Sequence, residues 1–281
     1  MNQNLLRPVL TAYGRALMSQ LTGKMLLLSV IPFLLSLLLW GALLWTGLQP
    51  MLDYMHALFA DYGLFSTSGS ILSTFGLGFL KTVIVPLIAL LMLLPLMVVT
   101  SLLFMGVVAM PAIVKHVSQR QFPQLEKKQG GSFIGSLLVN LNGFLIFVPL
   151  WLFSLPLYAI APVAIIAQAF LWGWLTQRVM SYDALSEHAS EEERTTIIRS
   201  HKRQLMLIGI FSGAAGALPG IVWIGGTIVA VFLFPFLAAL SIWLYVVIFI
   251  FTGLWFQYYC LQALSDLRAV RARSEVVQAA S

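Results

Sequence analysis

Two long runs without any formal charge constrain this chain more than any other feature. Residues 129–177 and residues 204–265 contain no Asp, Glu, Lys or Arg. A charge at the centre of a bilayer costs about 2.5 to 3.5 kcal/mol even on the lenient insertion scale, so lipid selects against charge in such runs. The chain as a whole is only 9% charged, against about 25% in an average soluble domain. The sequence therefore predicts an all-α integral membrane protein that forms one membrane domain.

The segment between the two runs, residues 178–203, is strongly charged and is predicted to lie outside the lipid; we call it the elbow. It carries ten charged residues, five of each sign. Ser190 and Glu193 have the Ser-x-x-Glu spacing of a capping box, which predicts a helix start. The helix macrodipole favours the cations at its far end, Arg199, Lys202 and Arg203. These cations either anchor the elbow to lipid phosphates or face a passing anion, and the sequence leaves both interpretations open.

The distribution of Lys and Arg predicts the side of the membrane on which each segment lies. Residues 111–128 are basic, whereas residues 49–70 contain two acids and no Lys or Arg. Because short cytoplasmic loops are enriched in Lys and Arg, residues 49–70 are predicted to form an external loop, and residues 111–128, the elbow and both termini are predicted to be cytoplasmic. The predicted organisation is an amphipathic surface helix over residues 1–24, a first membrane half over residues 25–177, the elbow, a second membrane half over residues 204–265 and a basic tail over residues 266–281.

The apolar runs contain several candidate turns. Residues 25 to about 46 predict a first span, since this apolar stretch is too long for a signal peptide. A second apolar stretch covers residues 71–110. An uncharged turn at residues 154–162 makes residues 129–177 compatible with two full spans or with a hairpin that enters the membrane and returns. The last run contains a glycine-rich stretch at residues 212–226, a composition that breaks helices.

Two glycine pairs in the last run have G-x-x-x-G spacing. They are Gly209 with Gly213 and Gly216 with Gly220. In a membrane this spacing is most often a sign of tight helix packing. The alternative is a broken helix whose free N–H groups line a pore turn and face an anion.

Motifs of enzymatic or metal chemistry are absent from the sequence. It has no H-E-x-x-H, P-loop, C-x-x-C or G-x-S-x-G pattern, and its four histidines show no ligand spacing. Carboxylates lie only in predicted loops or in the elbow, which argues against the acid relays of proton-coupled pumps. The basic residues do not form one stripe, so a nucleic acid is not a predicted partner despite a formal charge of +6. We predict neither an enzyme nor an energised pump, with no cofactor and no metal site.

The elbow and its flanks contain a series of aromatic, charged and proline residues in a distinctive order. They are Trp174, Tyr182, Asp183, His188, Arg194, Thr195, Arg199 and Lys202, followed by Leu218, Pro219 and Pro235. With these residues the chain resembles the family of the CysZ sulfate permease and the etoposide-induced protein. The resemblance implies long transmembrane helices plus helical hairpins that penetrate the bilayer partway, assembled as homo-oligomers in a bacterial inner membrane. It also implies a passive route for sulfate. The chain departs from the family pattern at Leu26 and Leu27, where paired arginines are usual, and in the uncharged residues 131–145.

Two classes of function remain. The first is a passive channel or permease for a small oxyanion, with sulfate the first candidate. In it Arg199, Lys202 and Arg203 attract the ion and Lys24 is a weaker partner. The second is a non-transporting membrane scaffold or assembly factor, whose basic residues only bind lipid headgroups. The predicted partners are the lipid bilayer, a small inorganic anion and further copies of the chain.

Overall fold

The computed structural model of the protein describes residues 3–61, 100, 109–216 and 230–279, and these are almost entirely helical, without a strand. The helices are α1 (Gln3–Gln20), α2 (Gly23–Asp61), α3 (Met110–Gln121), α4 (Phe133–Ser154), α5 (Ala161–Ser186), α6 (Glu191–Ser200), α7 (Lys202–Ala215) and α8 (Ala230–Ala279). Among the described residues, Gly23–Gly47, Ile134–Leu157 and Ala239–Gln278 are long and apolar enough to cross a membrane. The predicted all-α membrane fold is confirmed.

The chain divides into two compact units. The first contains Met1–Ser29, Gly106–Leu218 and Val247–Ser281, and the second contains Val30–Met105 and Pro219–Val246. The second unit includes most of α2, where the indole N–H of Trp40 donates a hydrogen bond to the Thr100 hydroxyl over 2.8 Å. All the residues of the candidate site described below belong to the first unit.

Helix α2 is longer than the sequence predicted. Its apolar part, Gly23–Gly47, is a helix long and apolar enough for the predicted first span, but the helix continues through Pro50 to Asp61. The interpretation of residues 49–70 as a loop was therefore wrong for residues 49–61. A proline inside a membrane helix removes one backbone hydrogen bond, and the good helix formers that follow Pro50 allow the helix to continue. Residues 62–70, and almost all of the second apolar stretch, lie outside the described residues.

Residues 129–177 form a helical hairpin, and its turn lies where the sequence predicted. Ser132 caps α4 by accepting a hydrogen bond from the Gly135 N–H over 3.0 Å. Between α4 and α5, the short 3-10 helix Leu155–Ala159 and the extended residue Ile160 reverse the chain. Helix α4 has 22 residues, and at ~1.5 Å per residue it matches a hydrocarbon layer of ~30 Å. How deeply the hairpin penetrates stays a prediction.

Helices α5 and α7 pack with their backbones in contact, at glycines. A Cβ atom added to Gly173 would lie 2.7 Å from the Ile210 Cα, and one added to Gly209 would overlap the carbonyl oxygen of Gly173. A Cβ on Gly213 would lie 3.1 Å from the Trp172 Cβ. This geometry agrees with a packing role for the first glycine pair. Of the second pair, Gly216 directly follows α7, and Gly220 lies outside the described residues.

Helix α1 packs along the second half of α8. The Trp255 indole donates to the Val9 carbonyl over 3.0 Å, and the hydroxyls of Ser19 and Tyr258 are 2.6 Å apart. Helix α1 also exposes large apolar side chains, namely Leu10, Leu17 and Met18, and Leu21 directly after the helix is exposed as well. The structure thus confirms a helix with a distinct packed face, while its location on the membrane surface stays a prediction.

Candidate anion-binding site

The elbow contains the end of α5, a short turn, α6 and the start of α7. The capping box at Ser190 is confirmed: its hydroxyl accepts from the Glu193 N–H over 3.2 Å, and its own N–H donates to the Glu193 carboxylate over 2.9 Å. Helix α5, however, continues through Arg178 to Ser186. The first part of the elbow is therefore the end of the hairpin's second helix, because nothing in residues 178–186 breaks a helix.

The loop between α3 and α4 pairs with the end of the hairpin. The N–H groups of Lys128, Gly130 and Gly131 donate to the carbonyls of His188, Ala189 and Ser186 over 3.3, 2.9 and 2.9 Å. A Cβ on Gly130 would lie 2.5 Å from the Glu191 N, so only glycine allows this approach. The pairing holds the start of α4 beside the start of α6.

Glu193 is the centre of a buried ion cluster, which we call the elbow clamp. Its side chain is only 2% exposed. Arg268 binds both carboxylate oxygens, with Nε 3.0 Å from Oε1 and Nη2 2.9 Å from Oε2, and Lys128 Nζ lies 3.1 Å from Oε1. Mainly through its hydrogen bonds with Arg268, the pKa of Glu193 is lowered to about 2. The Glu193 carboxylate is thus charged at neutral pH.

Arg268 also connects the second half of α8 to the neighbouring loops. Its guanidinium donates to the backbone carbonyls of His188 over 2.7 Å and Glu126 over 2.9 Å. The sequence predicted Arg268 in a basic tail, whereas α8 is helical as far as Ala279 and Arg268 binds Glu193. Residues 193 and 268 are 75 positions apart, and no local pattern indicates a pairing at that distance.

His188 lies beside the clamp and is buried. Neither of its ring nitrogens has a hydrogen-bond partner among the described residues. Burial is the main reason that the pKa of His188 is lowered; the charges of Lys127 and Arg268 act in the same direction, and Glu187 opposes them. The imidazole is therefore neutral in the folded protein at neutral pH.

The state of His188 predicts a loss of stability in mild acid. As the pH falls through about 6.5, the unfolded chain binds a proton at His188 that the folded chain does not bind, so stability is lost below that pH. We expect a lower unfolding midpoint at pH ~5.5 than at pH ~7.5 in thermal denaturation in detergent, with part of this difference removed by His188→Asn. The pKa of Glu193 moves from 4.5 to about 2, so that carboxylate affects stability only at lower pH. An unchanged pH dependence in His188→Asn would contradict the prediction.

A pocket of about 480 Å³ lies where α4, α5, α6 and the start of α7 meet; we call it the cationic pocket. Its lining residues are Val139, Trp174, Gln177, Arg178, Tyr182, Arg194, Thr195, Ile198, Arg199 and Lys202. Four of these residues carry a positive charge and none carries a negative charge. The pocket can therefore attract an anion and offer it several N–H donors.

Aromatic rings hold two of the pocket's arginines in place. The Arg194 guanidinium lies 4.4 Å from the centroid of the Tyr182 ring, and its Nη1 donates to the Gly130 carbonyl. The Arg178 guanidinium lies 5.6 Å from the Trp174 ring centroid. A ring face attracts a cation without neutralising its charge. Both arginines are thus positioned by uncharged groups.

Carboxylates near the pocket interact with other groups. Asp183, next to Tyr182, accepts a hydrogen bond from Ser136, and burial raises the pKa of Asp183. Glu193 belongs to the elbow clamp. In the part of the chain that the structure describes, Arg178, Arg199 and Lys202 form no salt bridge. Their positive charge remains available to a ligand.

A comparison with protein families identifies the chain. The model of the family described as sulfate transporter CysZ/etoposide-induced protein 2.4 matches residues 12–225, most of the sequence. The chain belongs to this family. No curated protein and no solved structure matched it. The resemblance carried by the elbow motifs is confirmed, and the family description is that of a transporter rather than an enzyme.

The structure brings together some of the residues predicted to attract an anion in this CysZ-family protein. Arg199 and Lys202 line the cationic pocket. Arg203 follows Lys202 on α7 but is not among the lining residues. Lys24 lies in the first turn of α2 and close enough to His116 to contribute to the lowered pKa of His116; it does not line the pocket either.

Sequence reasoning missed two of the pocket's cations, Arg178 and Arg194. Both lie in the elbow, and Arg194 belongs to the motifs that resemble the family. Arg178 follows Trp174 by four residues, which places both on one helix face. The i, i+4 spacing of Trp174 and Arg178 was the sequence pattern that could have predicted the contact between the guanidinium and the indole ring.

Proposed function

We propose that this CysZ-family protein conducts a small oxyanion, with sulfate the first candidate, passively across the bacterial inner membrane. The cationic pocket is the observation that supports this function. It places four cations around one space, and none of the four forms a salt bridge among the described residues. In this proposal the pocket lies on the cytoplasmic side and gathers the ion at one end of its route.

The chemistry of the pocket suits a tetrahedral dianion. Such an ion crosses a membrane protein only when N–H donors and positive charge replace its hydration shell. An arginine can donate to two oxygens of one ion, while a lysine acts as a point charge. The pocket offers both types of donor from separate helices, with Arg178 on α5, Arg199 on α6 and Lys202 at the start of α7.

Conduction also requires that the ion can leave. An ion held by a buried, fully paired cluster such as the elbow clamp would not be released readily. In contrast, Arg199 and Lys202 are exposed, and water weakens their attraction for an ion. A pocket with one buried and several accessible cations therefore favours transient binding, as passive transport requires.

The direct test is the uptake of labelled sulfate into proteoliposomes at a sulfate concentration below saturation. We expect Arg178→Gln and Lys202→Gln each to reduce the initial rate by about tenfold, because each removes a charge-assisted hydrogen bond worth roughly 1.5 to 3 kcal/mol. Arg199→Lys, which keeps the charge but loses the two-oxygen contact, should reduce sulfate uptake more than chloride uptake. The matched control is Arg273→Gln, which removes an exposed cation of α8 outside the pocket.

The outcome that would overturn the proposal is equally direct. If Arg178→Gln and Lys202→Gln insert and fold normally but conduct sulfate at the rate of Arg273→Gln, the pocket has no part in transport. The non-transporting scaffold would be the better function for the chain if the wild-type protein took up no more sulfate than protein-free liposomes.

A further inference from the structure

We infer that the cationic pocket also binds the phosphate group of an anionic phospholipid, and that this lipid competes with the transported oxyanion. The shared chemistry is a tetrahedral oxyanion with at least one negative charge. The inferred lipid binding is supported by the structure alone, whereas the inferred competition between lipid and oxyanion rests on the proposed transport function.

The first support is the depth of the pocket along a membrane-crossing helix. One wall is α4, whose candidate span begins at Ile134. Val139, which lines the pocket, is five residues further along, at about 8 Å on the helix axis. The Arg178 Cδ is 3.7 Å from the position of a Cβ on Gly143, which lies about 14 Å from the start of the span. The pocket therefore begins within about 8 Å of the start of the span, near the headgroup region, and Arg178 lies on its deeper side.

The second support is the cost of leaving Arg178 at that depth. A cation within the hydrocarbon layer is stabilised when it reaches the interface or meets an anion. Trp174 contacts the Arg178 guanidinium, but a ring face does not neutralise it. No carboxylate of the described residues pairs with Arg178. Lipid phosphates at the adjoining interface are the anions that a bilayer supplies, and a long arginine side chain can extend toward them.

The third support is the surface beside the pocket, which fits acyl chains. Two helical turns along α4 from Val139, and on the same helix face, Ile146 is 40% exposed. Within the pocket, Ile198 and Trp174 add apolar area beside the cations. A site for a free ion needs only the donors, whereas donors bordered by apolar side chains match both the charged headgroup and the acyl chains of a phospholipid.

The pocket's size explains why lipid and ion would exclude each other. Its volume of about 480 Å³ holds one headgroup, and the same cations would serve either ligand. A bound headgroup therefore raises the oxyanion concentration needed to reach half of the maximal uptake rate. Anionic lipid would thus be a competitive inhibitor of transport.

The test is native mass spectrometry of the delipidated protein, titrated in detergent with phosphatidylglycerol or with phosphatidylcholine of equal chain length. We expect at least ~5-fold more bound phosphatidylglycerol than phosphatidylcholine. Arg178→Gln should reduce this binding by about tenfold, as expected for one lost charge-assisted contact. Lys202→Gln is a second variant whose exposed side chain leaves helix packing undisturbed, and Arg273→Gln should bind like the wild type. Added inorganic sulfate or phosphate should displace the phosphatidylglycerol.

Each result has a distinct meaning. Equal binding of the two lipids, or unchanged binding in both pocket variants, overturns the inference. Binding of inorganic phosphate without phosphatidylglycerol would identify a site for free ions only. Bound lipid that sulfate does not displace overturns the competition alone. If the pocket variants lose lipid but keep sulfate uptake, the pocket's role in transport fails and the lipid site stands. If they lose sulfate uptake but keep bound lipid, the lipid site fails and the role in transport stands.

Discussion

Replacing Arg268 by alanine is expected to lower the free energy of unfolding by about 3 to 5 kcal/mol. The reason is that the Glu193 carboxylate would remain buried without its main partner, and an unpaired buried charge is far more costly than a lost surface contact. Arg268 also donates to two backbone carbonyls, those of His188 and Glu126, which would lose these bonds. The measurement is an equilibrium unfolding titration with a denaturing detergent, followed by circular dichroism.

A neighbouring arginine provides a matched control for this effect. Arg271 lies one helical turn further along α8 and pairs with Glu192 over 3.0 Å, but both side chains are largely exposed. Exposed ion pairs contribute about 0 to 1 kcal/mol, so Arg271→Ala should change the unfolding free energy by no more than that. If the two variants unfold alike, the elbow clamp does not stabilise the fold as its burial implies.

The elbow clamp and the cationic pocket share helix α6. Glu193 of the clamp directly precedes Arg194 of the pocket, and Arg199 lies further along the same helix. The clamp ties the start of α6 to α8 and to Lys128. The position of α6, and with it two of the pocket's cations, therefore depends on a contact with a distant part of the chain. Any shift of α8 relative to the loops would change the pocket's geometry.

Local chemistry explains which parts of this fold were predictable. The capping box at Ser190 and the turn at residues 154–162 each depend on residues close in sequence, and both were located correctly. The extension of α2 past Pro50 was missed because the surrounding helix outweighs the local preference of proline. The role of Arg268 was missed because its partner, Glu193, is brought near only by the packing of α8.

Only part of the cationic pocket could be predicted, because some of its cations are close in sequence and others are brought together by packing. Arg199 and Lys202 gather at the end of a helix that the sequence indicates, so their proximity followed from the pattern. Arg178 joins them only because α5 and α7 pack at glycines, which sets how the hairpin and the elbow align. The spacing of Gly209 and Gly213 indicated close packing but could not identify Gly173 on α5 as the partner.

Substituting Gly209 by leucine is expected to lower the free energy of unfolding by about 3 kcal/mol, the upper end of the usual cost of overpacking. A Cβ at this position would overlap the carbonyl oxygen of Gly173, a backbone atom that can move away only if the helices separate. Because α5 carries Arg178 and α7 carries Lys202, separation would also widen the cationic pocket and reduce sulfate uptake in proteoliposomes.

Gly14→Ala on α1 is the control for this substitution. Its Cβ would meet no atom within 4 Å, and the better helix propensity of alanine should stabilise the protein by up to ~1 kcal/mol. Unfolding titrations in which Gly209→Leu is as stable as Gly14→Ala would show that α5 and α7 do not pack as closely as the structure indicates.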